Sequence, residues 1–398
     1  MITLDDVRAA AGRFDGRVLR TPMIYSDSVS RATGAKVHLK LENLQATGAF
    51  KERGAANRLA LLSAEERARG VVAMSAGNHA QAVARIASLL GISAVIVMPK
   101  HTPITKVTRT QGWGARVVLH GDMLAETAEY AVQLGRDEGR VFIHPYDDAG
   151  VMAGQGTMAL EMIEDQPDLD MLVIPVGGGG LIAGCATVAA ALKPGMEVIG
   201  VEVAAYAALA QRLAGMPVDV GGATIAEGIA VRDIGVAPLE VIRAHVHDVL
   251  VVPERAVEEA IALLAEGAKV VAEGAGATGV AALLAFPERF AGKRVGTPVC
   301  GGNIDARILA NVMLRNLLRD GRLLRLLLEI PDRPGVLADI SGKIGSSGGN
   351  IIEVSHQRLF ASPSVQTAEL EVMFEARDAA HGDEIVRMLE QTYIVRRA

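Results

Sequence analysis

Cysteine, basic runs and long apolar segments are scarce in this 398-residue sequence, and each shortage excludes a class of protein. Two cysteines, Cys185 and Cys300, cannot build the disulfide framework of a secreted scaffold, so a reducing, cytoplasmic location is expected. The apolar runs are short and interrupted by glycine or charge, so no membrane span and no membrane partner are expected. A net charge of −6 without a long basic run argues against nucleic acid as a main ligand.

The sequence does contain the composition of a folded protein with more than one domain. Half of its residues are hydrophobic and 22% are charged, which is a globular balance, and its length exceeds that of one ordinary core. Apolar segments alternate with amphipathic ones up to about residue 320. Buried strands joined by helices predict doubly wound parallel sheets, an α/β fold. The predicted strands cover 37–42, 70–75, 94–99, 115–121, 141–145, 171–176, 197–203, 246–252 and 294–300.

A different pattern begins near residue 321. The order strand, helix, strand, strand, helix, strand follows from "RLLRLLLEIPDRPGVLADI" to the terminal "YIVRR". This βαββαβ order predicts a ferredoxin-like domain over residues 322–398. The boundary with a first domain of residues 1–320 is expected between Arg319 and Arg322.

In doubly wound sheets, ligands bind where strands end at their carboxyl side, and the first such loop contains Lys51. The turn Ala46-Thr47-Gly48 leads into a helix predicted to begin near Lys51. The helix macrodipole disfavours a cation at this end, which makes the position unusual for a lysine. A surface lysine pointing into water is the alternative reading of this loop on its own.

The second loop, "SAGNHAQ" from Ser75 to Gln81, follows a predicted strand and opens a helix. Backbone N–H groups at such a helix start favour an anion, for example a carboxylate. An ordinary helix cap by Ser75 or Asn78 is the alternative.

The third loop, "PVGGGGLIAG" from Pro175 to Gly184, places four glycines between a strand and a helix. Backbone amides without neighbouring Cβ atoms can surround a phosphate, and no GK[ST] follows that would make a Walker loop. The segment also contains G-x-G-x-x-A, from Gly178 to Ala183, with Glu202 at the end of the next strand, as in dinucleotide-binding proteins. A third interpretation of this loop is that its glycines serve only a tight turn.

The fourth loop, "VCGGNIDAR", begins where Cys300 closes a predicted strand; a buried cysteine acting as a small hydrophobe is the alternative. Taken together, one lysine, a carboxylate cradle, a phosphate cradle and a polar side chain suit pyridoxal 5′-phosphate (PLP) and an amino acid. PLP offers an aldehyde, a phosphate and a ring nitrogen, and Lys51 would carry it as a Schiff base.

The motifs "TGAFKERGAAN", "SAGNHAQ", "GGGGL" and "CGGN", in this order, resemble those of the PLP fold-type II threonine/serine dehydratases. The resemblance implies two doubly wound subdomains, the smaller covering about residues 45–145 and inserted in the larger one. It implies that Lys51 binds PLP covalently, that Phe50 lies against the ring, that Asn78 bonds the ring 3-oxygen and that Cys300 lies beside the pyridine nitrogen. The implied phosphate-binding residues are Gly177, Gly178, Gly179, Gly180 and Leu181.

The same resemblance implies how the substrate is bound and converted. Glu273 matches a family acid near the substrate. The expected reaction is that of a threonine ammonia-lyase: Lys51 removes the α-proton, β-elimination follows, and L-threonine gives 2-oxobutanoate and ammonia, with L-serine giving pyruvate. The loop that receives the substrate carboxylate comprises Ser75, Ala76, Gly77, Asn78 and His79.

Four positions depart from the family pattern. Ala49 and Cys300 stand where serine is common. Ala76 stands where related serine racemases have a second serine that acts as the opposite-face base, so dehydration without racemisation is expected. Those relatives also bind a divalent cation through an acid at the position of Glu202 and an aspartate six residues later, where this chain has Ala208. No metal site is therefore expected.

The C-terminal "PDRPGVLADI…GGNIIEV" resembles an ACT regulatory domain. The resemblance implies a homo-oligomer, a dimer or tetramer, with a branched-chain amino-acid effector at Gly335, Val336, Leu337 and Asn350. Three alternatives stay open: a serine or 3-hydroxyaspartate dehydratase or racemase of the same fold, a nicotinamide-dependent (NAD) dehydrogenase built on the glycine loop, and a non-catalytic amino-acid sensor.

Overall fold

The computed structural model of the protein describes residues 1–357 and 366–397. It separates into two compact units, Met1–Ile304 and Asp305–Ala398. The boundary expected between Arg319 and Arg322 therefore falls inside the second unit, between its first helix and its first strand.

A six-stranded sheet forms the larger part of the first unit, in the spatial order β1-β2-β10-β7-β8-β9. The strands are parallel except for β1, which pairs antiparallel with β2 at one edge. Every residue of β7 is buried, as expected for a central parallel strand that is covered on both faces. The strands of this sheet are β1 (Met23–Tyr25), β2 (Lys36–Lys40), β7 (Met171–Pro175), β8 (Glu197–Val203), β9 (Asp248–Val252) and β10 (Arg294–Pro298).

A four-stranded parallel sheet forms the smaller subdomain of the first unit, in the order β5-β4-β3-β6. Its strands are β3 (Val71–Met74), β4 (Ala94–Met98), β5 (Arg116–Leu119) and β6 (Val141–Phe142). The α/β class with two doubly wound sheets is confirmed. Strand β6 is shorter than the predicted strand 141–145. The chain turns out of the sheet at His144, because His144 Nδ1 accepts hydrogen bonds from the amides of Tyr146 and Asp147.

Helices cover both sheets, and their ends follow local sequence signals. Asp148 caps α8 by accepting the Val151 amide, as acidic N-caps commonly do. No helix among the described residues is both long and apolar enough to cross a membrane. The helices of this unit are α1 (Leu4–Gly12), α2 (Asp27–Thr33), α3 (Lys51–Ala60), α4 (Ala64–Arg69), α5 (Asn78–Leu89), α6 (Ile104–Gly112), α7 (Leu124–Asp137), α8 (Ala149–Asp165), α9 (Gly180–Leu192), α10 (Ala208–Leu213), α11 (Val236–His245), α12 (Glu254–Leu263), α13 (Gly274–Ala285) and α14 (Pro287–Phe290).

The second unit begins with the helix α15 and continues as a four-stranded antiparallel sheet with two helices. The spatial order β12-β13-β11-β14 is that of the ferredoxin-like βαββαβ fold, so this prediction is confirmed. Apolar side chains of β11 and β13 alternate into a core beneath α16 and α17. The elements are α15 (Ala306–Arg319), β11 (Leu323–Pro331), α16 (Val336–Ser346), β12 (Asn350–Gln357), β13 (Thr367–Glu375), α17 (Ala379–Glu390) and β14 (Ile394–Arg397).

Candidate active site

A cavity of about 1340 Å³ opens in the first unit where β3, β7 and β10 end. The four loops singled out in the sequence all reach it, as expected for the carboxyl ends of parallel strands. Its lining includes every residue of the expected catalytic, cofactor and substrate sets: Phe50, Lys51, Ser75, Ala76, Gly77, Asn78, His79, Gly177, Gly178, Gly179, Gly180, Leu181, Glu273 and Cys300.

Lys51 is the first residue of α3 and extends its amine into the cavity. The preceding residue holds this start in place, because the Phe50 amide donates to the Cys300 carbonyl at 2.9 Å. The Lys51 Nζ donates to the carbonyl oxygen of Pro145 at 3.0 Å. Loss of hydration lowers the pKa of Lys51 to about 8, so about a tenth of this amine is neutral at pH 7, far more than for an ordinary lysine.

The glycine loop joins β7 to the start of α9 and has no room for side chains. Gly179 adopts φ +92°, and a Cβ on Gly178 would lie 2.4 Å from ring atoms of Tyr146. A Cβ on Gly180 would lie 2.7 Å from the Tyr146 carbonyl oxygen. No side chain caps α9, so its first amides are available to an anion, and a phosphate suits such a site.

The loop between β3 and α5 offers a second set of amides. Ser75 turns it by accepting the Gly77 amide on Oγ at 3.1 Å, and no side chain caps α5. His79 is buried, and its Nε2 lies 3.1 Å from the Ile143 carbonyl oxygen. Burial lowers the pKa of His79 to about 3, so the ring is neutral and donates from Nε2 to that carbonyl. His79 therefore supports the loop and does not offer a charge to a ligand.

Asn78 and Glu273 form a polar contact on the cavity wall. Asn78 Nδ2 donates to Glu273 Oε1 at 2.6 Å, and Asn78 Oδ1 accepts from Asn303 Nδ2 at 2.8 Å. Loss of hydration raises the pKa of Glu273 to about 7, although the bond from Asn78 opposes the rise. Glu273 can thus be either acid or carboxylate under ordinary conditions.

Cys300 lies on the cavity wall with only 3% of its surface exposed. Burial raises the pKa of its thiol well above the ordinary 9.0, so the group is a neutral thiol. The other cysteine, Cys185, is buried in α9 within the core of the larger subdomain.

Glu202 is not among the residues that line the cavity, and its carboxylate binds backbone amides of the protein. Its two carboxylate oxygens accept the amides of Leu209 and Ala210 at 2.8 and 2.9 Å, which caps α10. Burial raises the pKa of Glu202 to about 7. Its hydrogen-bonding capacity is used by the protein itself, which argues against a ribose contact. Within residues 1–357 and 366–397, no group of three or more His, Cys, Asp or Glu side chains could hold a metal ion.

Three cavity residues were missed by the sequence reasoning. Pro145 supplies the carbonyl that binds Lys51, Tyr146 covers the glycine loop, and Asn303 holds Asn78. Pro145 is the last residue of the fifth predicted strand and Tyr146 follows it, so the rule that ligands bind at strand ends could have found them. Asn303 lies in the "CGGN" motif, but nothing in the sequence indicates which partner it contacts.

These features fit PLP. A desolvated lysine, a glycine-only cradle at a helix start and a neutral thiol share one cavity. These groups suit, in that order, the aldehyde, the phosphate and the ring nitrogen of that cofactor. Two uncapped helix starts in the cavity allow a phosphate and a substrate carboxylate to bind together.

Comparisons with known proteins agree with this chemistry. The family model described as pyridoxal-phosphate dependent enzyme matches residues 15–301. The chain is 42% identical over 397 residues to L-threonine ammonia-lyase of Thermotoga maritima, covering 98% of this chain and 97% of that relative. Solved structures include a threonine deaminase from T.th., with 36% identity, a TM-score of 0.72 and coverage of 76% of this chain and 99% of that one. Maize serine racemase has 34% identity, a TM-score of 0.74 and coverage of 79% and 99%. The chain therefore belongs to the family of pyridoxal-phosphate dependent enzymes.

Proposed function

We propose that this protein is a cytoplasmic L-threonine ammonia-lyase that forms 2-oxobutanoate and ammonia, and that it also converts L-serine to pyruvate. The observation that carries the proposal is the Lys51 amine, which donates to Pro145 in a cavity that also holds two uncapped helix starts. The similarity to proteins named L-threonine ammonia-lyase and threonine deaminase supports threonine as the substrate.

Lys51 is the base of the proposed reaction. PLP, when bound, delocalises the electron pair that remains after the α-proton leaves. The low pKa of Lys51, about 8, gives an amine that can accept this proton near neutral pH. The carbonyl of Pro145 orients the amine while it is free. A general base of this kind contributes roughly 10²–10⁴-fold to the rate.

The loops divide the remaining work of binding. The amides of Gly177, Gly178, Gly179, Gly180 and Leu181 would hold the phosphate of PLP, and Phe50 would lie against its ring. Cys300, a neutral thiol on the cavity wall, would lie beside the pyridine nitrogen and would leave the ring nitrogen with a low proton occupancy. The amides of the segment Ser75, Ala76, Gly77, Asn78 and His79 receive the substrate carboxylate, and Glu273 lies beside the substrate.

Spectroscopy and turnover test the proposal together. The purified protein should absorb visible light because PLP is bound to a lysine. Reduction with borohydride should remove this absorption and leave the cofactor attached permanently to Lys51. We expect Lys51→Ala to lose at least about 10²-fold of threonine turnover because the base is gone, while PLP still binds non-covalently. Near-normal turnover of Lys51→Ala refutes the assignment. A colourless protein that binds NAD selects the dehydrogenase, and one that binds only amino acids selects the sensor.

Racemisation is the second candidate, and the similarity to maize serine racemase favours testing it. Ala76 carries no group that can donate or accept a proton on the face opposite Lys51. L-serine should therefore give pyruvate and no D-serine, and chelators should leave turnover unchanged because Ala208 offers no carboxylate. D-serine formed as fast as pyruvate selects the racemase.

The second unit is proposed to be an ACT regulatory domain in a homo-oligomer. Its helix α16 follows Gly335, which has φ +92° and no side-chain cap. The amides at Val336 and Leu337 suit an amino-acid carboxylate, and Asn350 at the start of β12 would contact the effector from a neighbouring copy. Isoleucine or valine as the effector would place the enzyme in isoleucine biosynthesis.

A further inference from the structure

We infer that Asn303 is a positioning residue for the cofactor site, because it orients the carboxamide of Asn78 so that an N–H group faces the cavity. The inference rests on the proposed function, in which Asn78 bonds the ring 3-oxygen of PLP. Asn303 would not touch the cofactor; it would act through Asn78.

The orientation of Asn303 is set by a backbone group. Its Nδ2 lies 2.7 Å from the carbonyl oxygen of Thr47 and 2.8 Å from Asn78 Oδ1. A carbonyl oxygen can only accept a hydrogen bond, so the amide nitrogen of Asn303, and not its oxygen, must face Thr47. The two hydrogens of this nitrogen then serve two acceptors.

The orientation of Asn78 follows from that of Asn303. Its Oδ1 receives the Asn303 hydrogen, and its Nδ2 donates to Glu273 Oε1 at 2.6 Å. The flipped carboxamide would oppose nitrogen to nitrogen at Asn303 and oxygen to oxygen at an ionised Glu273. One hydrogen of Asn78 Nδ2 is thereby left for a group in the cavity, which Asn78 lines. The ring oxygen of PLP is a hydrogen-bond acceptor, so it meets a donor.

Backbone hydrogen bonds around Asn303 fix the positions of the loops that carry these side chains. The Gly302 amide donates to the Gly48 carbonyl at 2.9 Å, and the Glu273 amide donates to the Gly301 carbonyl at 3.0 Å. Gly48 has φ +74°, and a Cβ there would lie 2.8 Å from Asn303 Oδ1. The loops that carry Lys51, Asn78 and Cys300 therefore share one hydrogen-bonded chain that passes through Asn303.

Asn303→Asp is the isosteric test, because it replaces the double donor by acceptors that oppose Thr47 and Asn78. We expect the dissociation constant of PLP, measured by titrating the apoprotein, to rise about 10-fold or more. The visible absorption maximum of the bound cofactor and its pH dependence should also shift. The control is Asn43→Asp: Asn43 also donates to a carbonyl, that of Val271 at 3.2 Å, but it has no bond to Asn78, so both readouts should stay at the wild-type values.

A double-mutant cycle on PLP affinity separates positioning from a structural role. Asn303→Ala, Asn78→Ala and the double variant are compared, and the alanine variants also serve if Asn303→Asp does not fold. We expect the double variant to bind PLP as weakly as Asn78→Ala alone. Additive losses, or variants of Asn303 with wild-type affinity and spectrum, overturn the inference while the proposed function stands. A wild-type protein that binds no PLP overturns both.

Discussion

At the scale of single residues, the position of Lys51 suits the role of a reactive amine. A lysine at the start of α3 meets the positive end of the helix macrodipole, and it is withdrawn from bulk water. Both effects disfavour the ammonium form relative to the neutral amine. A neutral amine is the form that attacks an aldehyde and that accepts a proton. A location that is unfavourable for a surface lysine is thus favourable for a reactive one.

Cys300→Ser should preserve turnover, because in the proposed site either residue would offer a neutral group to the pyridine nitrogen. The serine hydroxyl is buried, and in the apoprotein a buried hydroxyl without a partner costs about 1–3 kcal/mol. We expect urea unfolding to show this loss in the apoprotein and its recovery with PLP. The control is Cys185→Ser in the core of α9, whose loss of unfolding free energy relative to the wild type should be the same with and without PLP. Loss of the visible cofactor band in Cys300→Ser would show that Cys300 does not face the ring.

Glu273 should make the apoprotein less stable as the pH rises. Its folded pKa of about 7 lies above the ordinary 4.5, so the folded state binds this proton more tightly than the unfolded chain does. The resulting stabilisation is complete below about pH 4.5 and is lost as the pH rises through about 7. Relative to Glu273→Gln, the free energy of unfolding of the wild type should therefore fall by up to about 3 kcal/mol across this range.

Urea unfolding of both apoproteins at about pH 5 and about pH 8 measures the effect. The control is Glu66→Gln. Hydrogen bonds from Ser63 lower the pKa of Glu66 below the ordinary 4.5, so its contribution is lost only as the pH falls below about 4.5. Between about pH 5 and about pH 8 the difference between wild type and Glu66→Gln should therefore stay nearly constant. A difference between wild type and Glu273→Gln that does not change with pH would contradict the prediction.

The sequence predicts residues whose type and place in a motif carry the signal, and it misses those whose role depends on long-range contact. Lys51 and the glycines stand in strand-end loops that can be found by reading along the chain. The contact between Asn303 and Asn78 spans 225 positions, and nothing local indicates it. Tyr146 was missed because its role arises from the close approach of its ring to Gly178.

At the scale of elements, a buried ion cluster anchors α3. Arg53 is completely buried and pairs with Glu42 at 2.7 Å and with Glu161 at 2.7 Å. Glu161 also pairs with the buried Lys40 at 2.6 Å. Since Arg53 lies two residues after Lys51, the cluster fixes the first turn of α3 against α8 and β2.

Arg53→Met should destabilise the protein by about 3–5 kcal/mol, because it leaves the buried carboxylate of Glu42 without its ion-pair partner and leaves Glu161 with Lys40 alone. The matched control is Arg69→Met in α4. Arg69 pairs with Glu65 at 2.9 Å, but its side chain is 45% exposed, and an exposed pair contributes at most about 1 kcal/mol. Urea unfolding measures both variants. Equal losses would mean that the buried cluster does not anchor the helix.

The presence of parallel sheets was easier to predict than the ends of their strands. The alternation of apolar segments and helices was enough for both parallel sheets, because parallel strands need helical crossovers. The short edge strand β1 was missed, since Met23–Tyr25 has only three residues and shows no periodicity. The strand at 141–145 was predicted too long, because the turn formed by His144 depends on side-chain bonding.

At the scale of the whole molecule, we expect the two units to have separable functions. The threonine deaminase from T.th. matches 76% of this chain over 99% of its own length, so a protein of about this smaller extent folds without a counterpart of the remainder. The Thermotoga maritima relative covers 98% of this chain, so its similarity extends into the second unit. The second unit is therefore expected to add regulation to a catalytic unit that is complete by itself.

Truncation after Ile304 should leave PLP binding and threonine turnover intact, because all residues expected to act on PLP and the substrate lie before this point. The full-length protein should change its apparent affinity for threonine when isoleucine or valine is added, and the truncated protein should not. Coupling between two such sites is typically about 1–3 kcal/mol, or roughly 5–150-fold in affinity. Threonine saturation curves of both proteins, with and without each amino acid, measure it.

A Leu337→Asp variant is the matched full-length test, since a carboxylate near the start of α16 should repel an amino-acid carboxylate while leaving the catalytic unit unchanged. Identical curves for the full-length protein under all conditions would mean that the second unit only holds the oligomer together.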